Sequence, residues 1–198
     1  MEVILQGETK CWVDTMFNTN NHTSQNALLD TFKPLGNANE MAERIFEMIG
    51  HSKFFMDFTF ENVEKLSSFM QTYQVSAGTT VIQEGDIDDY MIFIIEGRVN
   101  ILKADIHGDN RPMTIAGPGA TLGEMSMIDG EPRFASCVAL ETTTFVTLSR
   151  DSMVKIIMDE PSFGSKILIK LVTLLSQRLR TTSSDLLHYL EHSQSEAV

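Results

Sequence analysis

The sequence predicts a mainly β protein with flanking helices, in which a jelly-roll-like β-roll is followed by a long C-terminal helix. Between residues 73 and 148 the chain consists of short runs rich in β-branched and aromatic residues, and turn signals separate these runs. Apolar residues at helical spacing lie on both sides of this region. Many short antiparallel strands at such spacing indicate a sandwich, a roll or a barrel.

The strands of the roll are predicted from the apolar runs and from the turns between them. Residues 90–95 and 98–102 form a hairpin, because Glu96 and Gly97 between them are a turn signal. Further strands are predicted at residues 79–82, 136–140 and 143–148.

Helices are predicted before and after the roll. Residues 38–56 and 60–70 carry apolar side chains on one helical face. After the roll, residues 151–159 form a short helix that Pro161 ends, and residues 162–192 form a long one.

These elements divide the chain into three predicted parts. They are an N-terminal extension (residues 1–38), a β-roll with its N-terminal helices (residues 39–161) and a long C-terminal helix (residues 162–198). Within the extension, residues 3–5 are predicted as a short strand and residues 27–32 as a helical turn.

Charge and composition restrict the function classes. The net charge is −12, from 15 Lys and Arg against 27 Asp and Glu. Nucleic-acid binding depends on cationic contacts to phosphates, so we expect no nucleic-acid partner. No apolar run reaches the roughly 18 residues of a membrane span, and no secretory signal begins the chain, so a cytoplasmic protein without a membrane partner is expected.

Catalytic and metal-binding chemistry find little support in the residue pattern. No nucleophile–base pair is recognisable, so no enzyme activity and no catalytic residue are predicted. His188 and His192 share a helical face but have no third ligand, and we interpret them as a solvated pair rather than a metal site. The acidic run of Asp86, Asp88 and Asp89 is interpreted as a solvated turn.

The segment from Leu122 to Ser136 carries the most chemistry. It places Gly123 and Glu124 before a short apolar helical turn, and Arg133 follows nine residues after Glu124. Exposed amides at a helix start together with a guanidinium suit a singly charged phosphate, and a glutamate suits a sugar hydroxyl. The alternative at this point is a surface loop with a Glu–Arg salt bridge.

Two short motifs in this segment carry a family resemblance. Gly123-Glu124-Met125-Ser126 followed by Pro132-Arg133-Phe134-Ala135-Ser136 resembles the phosphate-binding cassette of cyclic-nucleotide-binding domains. These domains occur in the catabolite activator protein family, in regulatory subunits of cyclic-AMP-dependent protein kinase and in cyclic-nucleotide-gated channels. The resemblance extends over roughly residues 40–190 and includes Glu84-Gly85-Asp86.

The resemblance implies a role for each cassette position. Glu124 accepts from the ribose 2′-hydroxyl, Arg133 pairs with the cyclic phosphate, and Gly123 permits close approach. The amides of Ser126 and Ala135 add to the phosphate or sugar site. The full set of expected ligand-binding residues is Gly123, Glu124, Met125, Ser126, Arg133, Phe134, Ala135, Ser136, Thr182 and Ser183.

Phe134 departs from the family pattern. Ligand-binding members carry Ser, Thr or Ala after the arginine, so a hydroxyl contact is lost here. A ring that points into the pocket either blocks the ligand or stacks on its base, whereas a ring that points outward leaves binding little affected.

In the long helix, the stretch Leu174-Leu-Ser-Gln-Arg-Leu-Arg-Thr-Thr-Ser183 resembles the dimer helix of the catabolite activator protein. Its leucine stripe comprises Leu168, Leu171, Leu175, Leu179, Leu186 and Leu190. More apolar surface than one contact can bury predicts packing on the roll and on a second chain, hence a homodimer. By the resemblance, Thr182 and Ser183 reach the adenine amino group, one hydroxyl coming from the partner. The alternative is a polar break in an exposed half-helix.

These observations predict a cyclic-nucleotide sensor that acts through an unidentified protein partner. Cyclic AMP is the expected ligand, cyclic GMP is the alternative, and no cofactor is expected. The family's transcription factors continue into a helix-turn-helix, whereas this chain ends at Val198, so direct DNA binding is not expected. The rival hypothesis is a β-roll scaffold that has lost nucleotide binding. A cupin-type enzyme is disfavoured because His107 is the only histidine of the β region.

Overall fold

Two antiparallel sheets form the body of the protein. The computed structural model describes residues 28–47, 52, 54–55 and 57–195. Within these residues the strands are β1 Pro34–Asn37, β2 Gln71–Val75, β3 Thr80–Ile82, β4 Tyr90–Glu96, β5 Val99–Ala104, β6 Asn110–Ala116, β7 Thr121–Leu122, β8 Ser136–Ala139 and β9 Thr143–Ser149. The five-stranded sheet has the order β1-β2-β9-β4-β7, and the four-stranded sheet has the order β3-β8-β5-β6. The strands β4 and β5 thus lie in different sheets and do not form the predicted hairpin.

Helices precede and follow the two sheets. Thr59 caps the helix Phe60–Ser67 by accepting a hydrogen bond from the amide of Asn62. Pro161, predicted as the end of one helix, is also the first residue of the next, a position that tolerates its missing N–H. The helices are α1 Ala42–Glu47, α2 Phe60–Ser67, α3 Glu124–Asp129, α4 Arg150–Asp159 and α5 Pro161–Ser195.

Strand β4 contributes side chains to both apolar clusters of the protein. Its residues are buried up to Ile95, so the strand reads as an unbroken apolar run. Alternate side chains point to opposite faces of a strand. Met91 and Phe93 join the cluster under the helices, whereas Ile92 and Ile94 join the cluster inside the roll. The predicted mainly β fold with flanking helices and a long C-terminal helix is confirmed.

The described part of the N-terminal segment packs on the roll. Leu29 is buried, and the ring of Phe32 meets that of Tyr73 edge-on at a centroid distance of 6.4 Å. Strand β1 pairs with β2, although no strand was predicted at residues 34–37. The strand predicted at residues 3–5 and most of the predicted helix beyond Glu47 lie outside the described residues.

The long helix α5 has two different halves. Phe163, Ile167, Leu171 and Leu174 are buried against the roll and the neighbouring helices. From residue 176 to residue 192 every side chain is exposed. Leu171 therefore belongs to the contact with the roll and not to the stripe with which the sequence grouped it. In the part of the chain that is described, no helix has the length and apolar character needed to cross a membrane.

The contact between α4 and α5 depends on a glycine. A Cβ atom at Gly164 would lie 2.7 Å from the Cα atom of Ile157. Gly164→Ala should therefore lower the free energy of unfolding by about 1–3 kcal/mol, because overpacking outweighs alanine's better helix propensity. Urea titration measures the difference, with the exposed Ser165→Ala as the control. A stabilised Gly164→Ala variant would contradict this helix contact.

Candidate functional site

The segment between β7 and β8 forms the candidate site. It contains the short helix α3, which begins after Gly123 and ends before Gly130. Gly123 has a φ of 79°, a conformation that side chains other than glycine rarely adopt. A Cβ atom there would also collide with Nη1 of Arg133. Gly123 thus permits the close approach of an arginine as well as of any ligand.

Arg133 is held in place on three sides. Its side chain is 1% exposed, and Nε lies 3.3 Å from Oδ2 of Asp88, which is equally buried. Nη1 donates to the carbonyl oxygen of Gly123 at 2.9 Å. The guanidinium carbon lies 4.4 Å from the ring centroid of Tyr90. The interpretation of the acidic run as a solvated turn was wrong for Asp88, because this carboxylate is the counterion of Arg133.

Two buried polar atoms at the site lack a partner. Among the described residues, no hydrogen-bond partner is found for Nη2 of Arg133 or for Oε2 of Glu124. Buried polar atoms are rarely left unpaired in folded proteins, because burial without a hydrogen bond is costly. One free donor and one free acceptor are therefore available to a ligand that brings an anion and a hydroxyl.

The turn at residues 84–86 is tied to Arg133 by its backbone. The amide of Arg133 donates to the carbonyl of Asp86 at 2.8 Å, and the amide of Gly85 donates to the carbonyl of Arg133 at 2.9 Å. Ser136 supports the same turn, since its hydroxyl accepts from the amide of Glu84 at 2.9 Å. Ser136 therefore lies behind the site and holds the turn.

Arg150 fixes the far end of α3. Its Nε donates to the carbonyl of Met127 and its Nη2 donates to the carbonyl of Ser126, both at 2.8 Å. A cation at the last carbonyls of a helix is favourable. Arg150 was not among the predicted site residues, because it lies 24 positions beyond Ser126 in the chain.

Arg178 connects α5 to the site and was also missed. Its Nη1 forms an ion pair with Oε1 of Glu124, whose side chain is 2% exposed. Its Nη2 donates to the carbonyl of Thr121 at 2.6 Å. The available signal was its spacing, since Arg178 lies four residues before Thr182 on one helical face.

A recess of about 110 Å³ lies between these groups. Seven of the ten predicted ligand residues line it. Arg178, Cys137 and three apolar side chains from the strands (Ile82, Ile101 and Leu122) complete the wall. The predicted residues that line it are Gly123, Glu124, Met125, Ser126, Arg133, Phe134 and Ala135.

Phe134 lines the recess but is not buried in it. The residue is 54% exposed, so its ring is accessible from solvent. Nζ of Lys103 lies 4.6 Å from the ring centroid and donates to the carbonyl of Phe134 at 2.8 Å. Lys103 is held in turn by Oε1 of Glu84 at 2.6 Å. The amide of Ala104 and this ammonium lower the pKa of Glu84, so the anchor stays charged.

Burial shapes the titration of two groups at the site. Burial raises the pKa of Asp88, and the adjacent guanidinium of Arg133 opposes this shift. Burial also raises the pKa of the Cys137 thiol to about 12, which leaves a neutral, apolar wall at the recess. The site therefore concentrates its charge in Arg133, Glu124 and their counterions.

Thr182 and Ser183 do not line this recess within one chain. Both lie in the exposed half of α5, about one helical turn beyond Arg178. Their predicted contact with a base stays a prediction. Among the residues that the structure describes, no group of three or more His, Cys, Asp or Glu side chains could hold a metal ion.

Comparison with known proteins identifies the family. The family model described as "Cyclic nucleotide-binding domain" matches residues 73–160. The crystal structure of a cyclic nucleotide-binding domain from Methylobacillus flagellatus is 38% identical, with a TM-score of 0.74 over 84% of this chain and 96% of that chain. The chain belongs to the cyclic nucleotide-binding domain family.

Longer relatives of the family cover the same region. The cyclic AMP receptor protein of Thermus thermophilus is 29% identical over 64% of this chain and 56% of its own length. The cAMP-dependent protein kinase regulatory subunit of Yarrowia lipolytica is 26% identical over 61% of this chain and 31% of its own length. The chain thus spans only about half of the first relative and a third of the second.

The buried ion pair of this cyclic nucleotide-binding domain yields a test of stability. Asp88→Ala should lower the free energy of unfolding by about 3–5 kcal/mol, because it leaves the guanidinium of Arg133 buried without a counterion. Adding Arg133→Met to this variant should recover part of the loss. Urea unfolding measures both, and Asp109→Ala on an exposed loop is the control. A double variant less stable than Asp88→Ala would contradict the assigned pair.

Proposed function

We propose that the chain binds a cyclic mononucleotide in the recess, with cyclic AMP as the expected ligand and cyclic GMP as the alternative. The observation that carries this proposal is the pair of unpaired buried atoms, Nη2 of Arg133 and Oε2 of Glu124, on two residues that line one recess. A cyclic phosphate supplies an acceptor for the first atom, and a ribose hydroxyl supplies a donor for the second.

The electrostatics of the recess favour a monoanion over a more highly charged ligand. Asp88 neutralises part of the charge of Arg133, and Arg178 neutralises part of the charge of Glu124. A cyclic phosphate carries a single negative charge, so it satisfies Nη2 without leaving excess charge buried. The amides of Ser126 and Ala135 complete the proposed phosphate and sugar contacts.

The proposed output passes through α5. Arg178 joins this helix to Glu124, and the ligand's hydroxyl uses the other oxygen of the same carboxylate. A ligand that orders Glu124 therefore favours the arrangement in which α5 is docked on the site, which is a population shift. We propose a regulatory protein that acts on a protein effector and has no catalytic role. The net charge of −12 supports a protein rather than a nucleic-acid target.

We propose that a row of mostly apolar residues along α5, the seam, packs against the same row of a second chain and forms a homodimer. The seam residues follow one another at alternating spacings of four and three, the repeat of a two-stranded coiled coil. They are Leu168, Val172, Leu175, Leu179, Thr182, Leu186 and Tyr189. Thr182 lies within the seam itself, so pairing of two chains would bring its hydroxyl and the neighbouring Ser183 into the interface.

A scaffold without a ligand is the second candidate. The ion pair of Arg178 with Glu124 favours it, because one carboxylate oxygen is already occupied by the protein. A thermal-shift screen separates the two candidates. A raised Tm with cyclic AMP or cyclic GMP supports the sensor, whereas an unchanged Tm with both, well above micromolar concentration, supports the scaffold.

Arg133 provides the direct test of binding. Arg133→Ala should weaken cyclic AMP binding by about 2–5 kcal/mol, because the phosphate loses its buried cation. Arg133→Lys, which keeps a charge beside Asp88, and Glu124→Gln should each weaken binding while the fold is retained. Isothermal titration calorimetry gives the affinities, with the exposed Arg111→Ala as the control. Equal affinities of the wild type and all three site variants would refute the site.

The seam provides the test of the dimer. Leu179→Asp should convert the dimer to a monomer, because it places a charge in the centre of the apolar seam. Leu187→Asp is the matched control, since Leu187 is a similarly exposed leucine outside the seam. Sedimentation equilibrium measures the mass. A monomeric wild-type chain, or a dimer retained by Leu179→Asp, would rule out this interface.

A further inference from the structure

The size of the recess determines which part of a nucleotide fits inside it. Its volume of about 110 Å³ is well below the roughly 300–1,000 Å³ of pockets that enclose whole small ligands. The proposed function assigns the phosphate and the hydroxyl of the ligand to the two unpaired atoms on Arg133 and Glu124 at this recess. The base of the ligand therefore lies at the mouth of the recess, where the exposed side chains of its wall are found.

Phe134 supplies a flat aromatic surface at that mouth. It follows Arg133 directly, lines the same recess, and has 54% of its surface exposed. Its exposed ring is therefore available for contact with a ligand at the mouth of the recess. Met125, the other exposed apolar residue of the wall, has no aromatic face.

The ring of Phe134 is held in a fixed position although it is exposed. Nζ of Lys103 lies over one face of the ring and also binds the carbonyl oxygen of the same residue. Lys103 is itself anchored by Glu84, whose other carboxylate oxygen accepts from the amide of Ala104 at 2.9 Å. A ring covered by a cation on one face and fixed by its backbone can present its other face without losing side-chain entropy on binding.

We infer that Phe134 is the platform on which the base of the bound nucleotide stacks, and that Lys103 holds this platform open. This inference rests on the proposed function. Every base has a π-face, so stacking tolerates different bases, and the larger overlap of a purine gives the stronger contact. The platform thus selects cyclic purine nucleotides over pyrimidine and base-free cyclic phosphates. It discriminates little between adenine and guanine.

Replacement of the aromatic ring by an apolar side chain tests the platform. Phe134→Leu should weaken binding of cyclic AMP and cyclic GMP about tenfold, and should leave binding of ribose 3′,5′-cyclic phosphate, which has no base, unchanged. Phe134→Trp is the matched control that retains an aromatic face, and it should keep the wild-type affinity. Calorimetry with the full chain measures all affinities, and the unfolding Tm verifies that each variant is folded.

The outcomes separate this inference from the proposed function. Wild-type chain that binds neither the nucleotides nor the base-free ligand would overturn both. Binding of all three ligands with equal loss in Phe134→Leu would overturn the platform alone, because the ring would then act on the phosphate. Tighter binding of cyclic AMP by Phe134→Leu would also overturn it, because the ring would then obstruct the ligand. Nuclear Overhauser contacts between Phe134 and the base protons are expected in the wild type.

Discussion

The buried ion pair of Arg133 with Asp88 is the constraint on which the rest of the site depends. A guanidinium and a carboxylate that are each 1% exposed must satisfy one another, because water cannot. Gly123 has to lack a side chain for Arg133 to reach its carbonyl oxygen. The turn at residues 84–86 has to meet the backbone of Arg133 for Asp88 to be presented. In this arrangement Nη2 of Arg133 has no hydrogen-bond partner among the described residues, so it can donate to a ligand.

Glu124 extends the same logic to the long helix. Its carboxylate is almost fully buried, so it needs a cation, and the cation comes from Arg178, 54 residues further along the chain. The ion pair that docks α5 therefore involves Oε1 of Glu124, an atom of a residue that lines the recess. A ligand that uses Oε2 of Glu124 acts on the same carboxylate that holds α5 by Oε1. In the proposed mechanism, a single side chain, that of Glu124, couples the ligand to α5, because its two oxygens contact one each.

The sequence predicted those features whose signals lie within a few neighbouring residues. The apolar run of β4 and the glycine, glutamate and arginine of the cassette have signals within a few residues; the structure forms that strand and brings the three cassette residues to one recess. The hairpin predicted at Gly97 was wrong, because β4 and β5 follow one another in the chain but lie in different sheets. The roles of Asp88 and Arg178 could not be predicted in this way, because their partners Arg133 and Glu124 lie 45 and 54 residues away in the chain. The residues next to Asp88 and Arg178 carry no signal of these ion pairs. An acidic run looks the same whether it is solvated or buried.

Phe134 is interpreted differently from the sequence and from the structure. In the sequence it replaces a small residue and suggests an obstructed pocket. In the structure the residue lines the recess, is 54% exposed and carries Nζ of Lys103 over its ring. In the binding mode that we propose, the aromatic face of Phe134 contacts the base, in place of the hydroxyl contact to the phosphate that a small polar residue would make.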